Sequence, residues 1–166
     1  IWTVTVFGLV IAMLGPIFVA VVSERAGRPP NRLRPLLLAQ AALVAIVAAV
    51  LSVVFFFEHK PASSIGLKPL TLQSFAWGLA LAAFFMYVFS PVVYWTLRRF
   101  RLGGFDKCLL QLQGLPVWYL VLAVVIGGVA EEILYRGYAV ERIATLTGSL
   151  WFAGAIPVVV FAAAHV

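Results

Sequence analysis

Charge is what this chain has least of. Only 11% of its 166 residues are Asp, Glu, Lys or Arg, while 64% are hydrophobic. A soluble domain carries about 25% charged residues, so too little polar surface is present to keep this chain in water. Cysteine is nearly absent as well, and the single Cys108 excludes an internal disulfide and a cysteine-based metal cluster. Histidine is confined to His59 and His165. Acidic residues number six against twelve basic ones, a net charge of +6. Such an excess can mark a nucleic-acid binder. Here the basic residues fall between apolar runs rather than along one face, which points to lipid headgroups and no nucleic acid.

Long apolar runs are what the chain has instead. Crossing about 30 Å of hydrocarbon takes roughly 20 apolar residues in a helix. Five runs meet or approach that length: 1–22, 36–57, 72–97, 117–140 and 149–166. Gly15-Pro16 and Pro91 predict kinks in the first and third. Neither an internal repeat nor a low-complexity stretch divides the chain. The expectation is an all-α, polytopic transmembrane helix bundle, one membrane domain over residues 1–166 with the lipid bilayer as its first partner. The chain begins at Ile1 and ends inside an apolar run at Val166, and is read as a portion of a longer protein.

The connections predict an orientation. Residues 23–35 hold Arg25, Arg28, Arg32 and Arg34 against Glu24, and residues 98–107 hold Arg98, Arg99, Arg101 and Lys107 against Asp106. Two intervening helices put both segments on one side, which the positive-inside rule makes cytoplasmic. The weakly charged segment 58–71 then lies outside, with His59 a solvated residue between Glu58 and Lys60. A multi-pass protein of the cell membrane is expected.

The fourth run breaks the apolar pattern with Glu131, Glu132 and Arg136. A charge at a helix centre costs roughly 2.5–3.5 kcal/mol on insertion scales, so two adjacent carboxylates need a reason. Glu132 and Arg136 are four residues apart and share a face, with Glu first in the favourable order. Glu131 and Arg136 are five apart and diverge. Arg136 therefore compensates Glu132 more readily than Glu131, which shares a face with Gly127 and Tyr135. The bland alternative is a helix end in water bearing ordinary solvated charges.

His165 is the second polar residue within an apolar run, one helical step beyond Phe161. Alone, such a histidine is more often a packing residue than a catalyst. Thr147-Gly148 is the natural break between the fourth and fifth helices. Glu131 stands sixteen residues before Thr147 and His165 seventeen after Gly148, so an antiparallel hairpin brings both to one height. A carboxylate and an imidazole at one level in hydrocarbon can form an acid–base pair. Zn²⁺ on Glu131, Glu132 and His165 is a rival reading. The chain has no His-x-x-x-His pair, and Arg136 beside the carboxylates disfavours a dication, so neither metal nor cofactor is expected.

These residues carry a family resemblance. Glu131-Glu132-Ile133-Leu134-Tyr135-Arg136-Gly137 reads as Glu-Glu-x-x-x-Arg followed by Gly, and Phe161 to His165 reads as Phe-x-x-x-His. About thirty residues apart on successive apolar helices, the two resemble the first two motifs of the CPBP family. That family includes type II CAAX prenyl endopeptidases and bacteriocin-processing or self-immunity proteins. Ile65-Gly66-Leu67-Lys68 also looks like a feature often found there. The resemblance implies an intramembrane peptidase in which Glu131 acts as general base on a water and His165 holds or polarises it. It implies no covalent intermediate and no required metal, with Glu132 and Arg136 supporting the site. The substrate implied is a peptide or protein, with or without a lipid modification.

The family also has a later His followed four residues on by Asn or Asp, supplying oxyanion donors. Losing one such donor costs about 10²–10³ in rate, so activity is expected of a longer protein that carries this motif beyond Val166. The alternative function is a non-catalytic membrane immunity or scaffolding protein of the same family. A transporter with an intramembrane carboxylate fits the composition but gives no reason for Glu-Glu-x-x-x-Arg. One tension stands. From a cytoplasmic start at Val117, Glu131 lies about 21 Å along the helix, beyond the midplane, whereas the resemblance implies a site open to the cytosol.

Overall fold

The computed structural model describes residues 2–25, 33–100 and 114–163. Arg28, Arg32, Arg101, Asp106, Lys107, Cys108 and His165 lie outside the described residues. The helices in chain order are α1 (Trp2–Arg25), α2 (Leu33–Ser52), α3 (Leu72–Phe84), α4 (Ser90–Arg99), α5 (Val117–Glu131), α6 (Val140–Thr147) and α7 (Leu150–Ala163). The wider, π-helical segments Val53–Phe57, Phe85–Phe89 and Glu132–Ala139 and a 3₁₀ turn at Ala62–Ile65 complete them. Every regular element among the described residues is helical, as expected of an all-α membrane protein. Four helical rods are long and apolar enough to cross a bilayer: Trp2–Ser23, Leu33–Phe57, Leu72–Arg99 and Val117–Thr147. Phe7, Phe18, Leu38 and Trp151 face outward, an arrangement that lipid tolerates and water does not.

The described residues fall into two units, 1–68 with 116–166, and 69–115. In the first, α1 and α2 pack side by side. Gly15 permits the approach: a Cβ there would stand 3.0 Å from Ile46 Cδ1. The core joins Ala12 of α1 with Val50 of α2, with Val53 and Val54 of the widened segment that follows it, and with Ala130, Ile133, Leu134 and Tyr138. Pro116 precedes the first turn of α5 in extended conformation, where its missing N–H is no loss. From there α5, Glu132–Ala139 and α6 form one helical rod ending at Thr147, seven residues past the expected end at 140. Gly148 stops it in left-handed conformation (φ 65°), its N–H donating to Ala144 O at 2.9 Å. α7 then turns back against α6.

The second unit holds α3 and α4. Thr71 caps α3, its hydroxyl accepting from Ser74 N–H at 3.1 Å. The widened turn Phe85–Phe89 comes immediately before Ser90 and Pro91. Proline lacks an N–H and crowds the carbonyl four residues back, so a wider turn at that place relieves the crowding. Ser90 Oγ donates to Phe85 O at 2.7 Å. The expected irregularity at Pro91 thus takes the form of a π-helical turn.

Candidate functional site

Glu131 and Glu132 are adjacent in sequence yet take different surroundings. Glu132 Oε2 accepts from Arg136 Nη1 at 2.8 Å, one helical step away, and both side chains are exposed on the chain (62% and 78%). Glu131 is half-buried and lines a cleft of ≈ 220 Å³. Pro16, Ala20 and Ser23 of α1 form one wall, Gln40 and Leu43 of α2 another, and Glu131, Leu134 and Tyr135 a third. The local reason is helical spacing. Neighbouring side chains on a helix point in directions far apart, so one carboxylate reaches the α1–α2 groove while the next turns outward to its arginine. The cleft could take a water and a polar chain segment beside the Glu131 carboxylate.

Tyr135 anchors the same face. Its hydroxyl donates to Met13 O at 3.2 Å, and its ring meets Phe161 edge to face with centroids 5.4 Å apart. This contact bears on the hairpin expected from the sequence. Tyr135 and Phe161 each lie four residues nearer the Thr147-Gly148 turn than Glu131 and His165, so the hairpin runs in that register at their level. His165 itself lies outside the described residues.

A buried polar cluster escaped the sequence reading. Glu58 and Arg142 form an ion pair, Arg142 Nη2 to Glu58 Oε2 at 2.7 Å, with 1% and 3% of their side chains exposed. Arg142 Nε donates to the same oxygen at 2.8 Å. Glu58 Oε1 accepts from Thr5 Oγ1 at 2.8 Å and from Tyr138 Oη at 3.1 Å. The rest of the guanidinium donates to Ser64, Nη1 to its carbonyl and Nη2 to its hydroxyl, each at 3.2 Å. Arg142 also lies over the Tyr138 ring, 5.1 Å from its centroid. The sequence places Glu58 only at the start of the weakly charged segment 58–71. In the structure it is the centre of a cluster joining α1, the segment after α2, the 3₁₀ turn and the rod that carries Glu131. Its partner stands 84 residues away, a separation that leaves no local pattern to read.

Gly137 completes that junction. A Cβ there would collide with the carbonyl oxygen of Ile65, so only glycine lets the Ala62–Ile65 turn rest on the rod. Ile65 is buried, and Gly66 leaves the turn in left-handed conformation (φ 77°). The Ile65-Gly66-Leu67-Lys68 stretch and the Gly after Glu-Glu-x-x-x-Arg thus meet in space.

No curated protein and no solved structure matches the chain. Residues 113–166 match the family model described as Type II CAAX prenyl endopeptidase Rce1-like. Both motifs read from the sequence lie inside the matched segment, and over that third of its length the chain is similar to the Rce1-like membrane endopeptidases of the CPBP family.

Proposed function

We propose that the protein is an intramembrane peptidase in which Glu131 activates a water for attack on a peptide carbonyl. The observation that carries this reading is the division of the two carboxylates. Glu132 is held by Arg136 at 2.8 Å, while Glu131 stands on the wall of a cleft large enough for water and chain. Glu131 takes a proton from the water as its oxygen adds to the carbonyl, and returns it to the departing amine. The products are a carboxylate and an amine, and the step balances with water and one carboxylate. His165, the histidine of the Phe-x-x-x-His motif, is assigned the role of holding or polarising the water, as the resemblance implies. Glu132 and Arg136 support the helix around it.

Access follows from the neighbours of Glu131. Ala20 and Ser23 near the end of α1 and Gln40 near the start of α2 flank it, beside the arginine-bearing segment 23–35. The positive-inside rule makes that end cytoplasmic. The rod Val117–Thr147 has 31 residues and spans about 45 Å, more than the about 30 Å of hydrocarbon. Its excess length removes the need to place Glu131 21 Å deep. A prenylated C-terminal peptide is the first substrate to try, since the matched family is described as type II CAAX prenyl endopeptidases.

In the full-length protein, Glu131→Gln and His165→Ala should each cut cleavage of a farnesylated CAAX peptide by at least about 10²-fold, the lower range of general-base catalysis. Membrane insertion should be unchanged. Cleavage that persists in Glu131→Gln at near the parent rate overturns the mechanism and favours the non-catalytic immunity or scaffolding reading.

A further inference from the structure

Gln40 lies outside the segment matched by the family model and has no part in the mechanism above. It is the one side chain between Leu36 and Leu51 able to make a strong hydrogen bond. In a membrane helix such an amide ordinarily joins one helix to the next. Here it does not. Its Oε1 is buried and finds no donor among the described residues. Ser23, the polar residue on the facing wall, donates its hydroxyl proton within its own helix, to Ala20 O at 2.7 Å. An acceptor shielded from solvent and left unpaired is unfavourable, and this one stands on the wall of the cleft that Glu131 also lines.

The chemistry of the missing partner is an N–H donor. A carboxamide carries an acceptor and two donors in the arrangement of a peptide unit, so the group it matches most closely is another peptide unit. An extended peptide whose carbonyl lies at Glu131 exposes backbone N–H groups one or two residues to either side. We infer that Gln40 binds the substrate backbone, its Oε1 accepting from a peptide N–H next to the bond presented to Glu131. The inference rests on the peptidase reading, and it makes Gln40 a substrate-binding residue that sets which bond meets the carboxylate. Backbone recognition of this kind is indifferent to side chains, so it fixes register and leaves sequence preference to the apolar walls.

The test separates binding from chemistry. Gln40→Met removes the carboxamide at nearly constant volume. In full-length protein carrying Glu131→Gln, binding of a fluorescent farnesylated CAAX peptide should weaken about tenfold when Gln40→Met is added. Peptides with one backbone N–H replaced by an ester oxygen, scanned along the chain, supply the second arm. One ester analogue should lose about the same tenfold against the Gln40 protein and nothing further against Gln40→Met, at a melting temperature close to the parent's. Undetectable binding, an unchanged Kd, or losses that multiply for every ester position would overturn the assignment. Persistent cleavage by Glu131→Gln would remove the mechanism while leaving a Gln40-dependent Kd intact. An unchanged Kd beside an indispensable Glu131 would remove Gln40 alone.

Discussion

At the scale of single residues, the cluster around Glu58 separates two kinds of loss. Tyr138→Phe keeps the ring over Arg142 and removes one hydroxyl from Glu58 Oε1, which still accepts from Thr5. That should cost about 1 kcal/mol. Arg142→Ala leaves the Glu58 carboxylate, 1% exposed, without its countercharge. Breaking a buried pair from one side costs about 3–5 kcal/mol. Unfolding in detergent micelles should therefore rank Arg142→Ala well below Tyr138→Phe. Equal effects would mean that the pair is solvated in the membrane. Removing both charges together, with Glu58→Leu and Arg142→Met, should recover much of the loss, since apolar groups of similar volume need no partner. Among the described residues Arg142 is one of the few buried polar or charged ones, and it fastens the far end of the rod on which Glu131 stands.

At the scale of elements, the 3₁₀ turn and the rod meet backbone to side. Gly137→Ala drives a methyl into the Ile65 carbonyl, which cannot swing aside as a side chain could. Overpacking of this kind costs about 1–3 kcal/mol. Gly128→Ala, nine residues earlier on the same rod, meets nothing within 4 Å and should be neutral or stabilising by up to about 1 kcal/mol. Opposite signs in a thermal unfolding assay are the expected outcome, and a tolerated Gly137→Ala would show that the turn does not rest there. Some of this architecture is legible in the sequence, and the rest is not, for physical reasons. The break at Thr147-Gly148 was legible because glycine in left-handed conformation ends helices by a local rule. The pairing of Glu132 with Arg136 was legible because four residues bring one helical face together. The widened segment Glu132–Ala139 was not, since the packing of Tyr135 and Tyr138 against α1 is a tertiary matter. The burial of Glu58 was not legible for the same reason: nothing near a charge at the end of an apolar run points to a partner 84 residues away. Gln40 was passed over because an uncharged amide scarcely alters an apolar run.

At the scale of the whole molecule, the first unit places its two polar sites at opposite ends of one helix pair. Thr5 meets Glu58 near one end of α1, and Ser23 meets the Glu131 cleft near the other. Ser23 is eighteen residues beyond Thr5, a separation of about 27 Å along the helix, close to the thickness of the hydrocarbon. Fixing the side of either site therefore fixes the side of both. The proposed orientation puts the Ser23 end, with the arginines of segment 23–35, in the cytoplasm and Lys68, exposed just past the 3₁₀ turn, on the outer face. Single cysteines can read this directly once the native one is removed by Cys108→Ser. On intact cells a membrane-impermeant maleimide should label Lys68→Cys and leave Ser23→Cys unmodified. Inverted membrane vesicles should reverse the pattern. Substrate should slow the labelling of Ser23→Cys in those vesicles, because that residue lines the cleft that Glu131 shares. Labelling of Ser23→Cys from outside would instead turn the cleft toward the exterior. A cytosolic peptide substrate would then be incompatible with the position of Glu131.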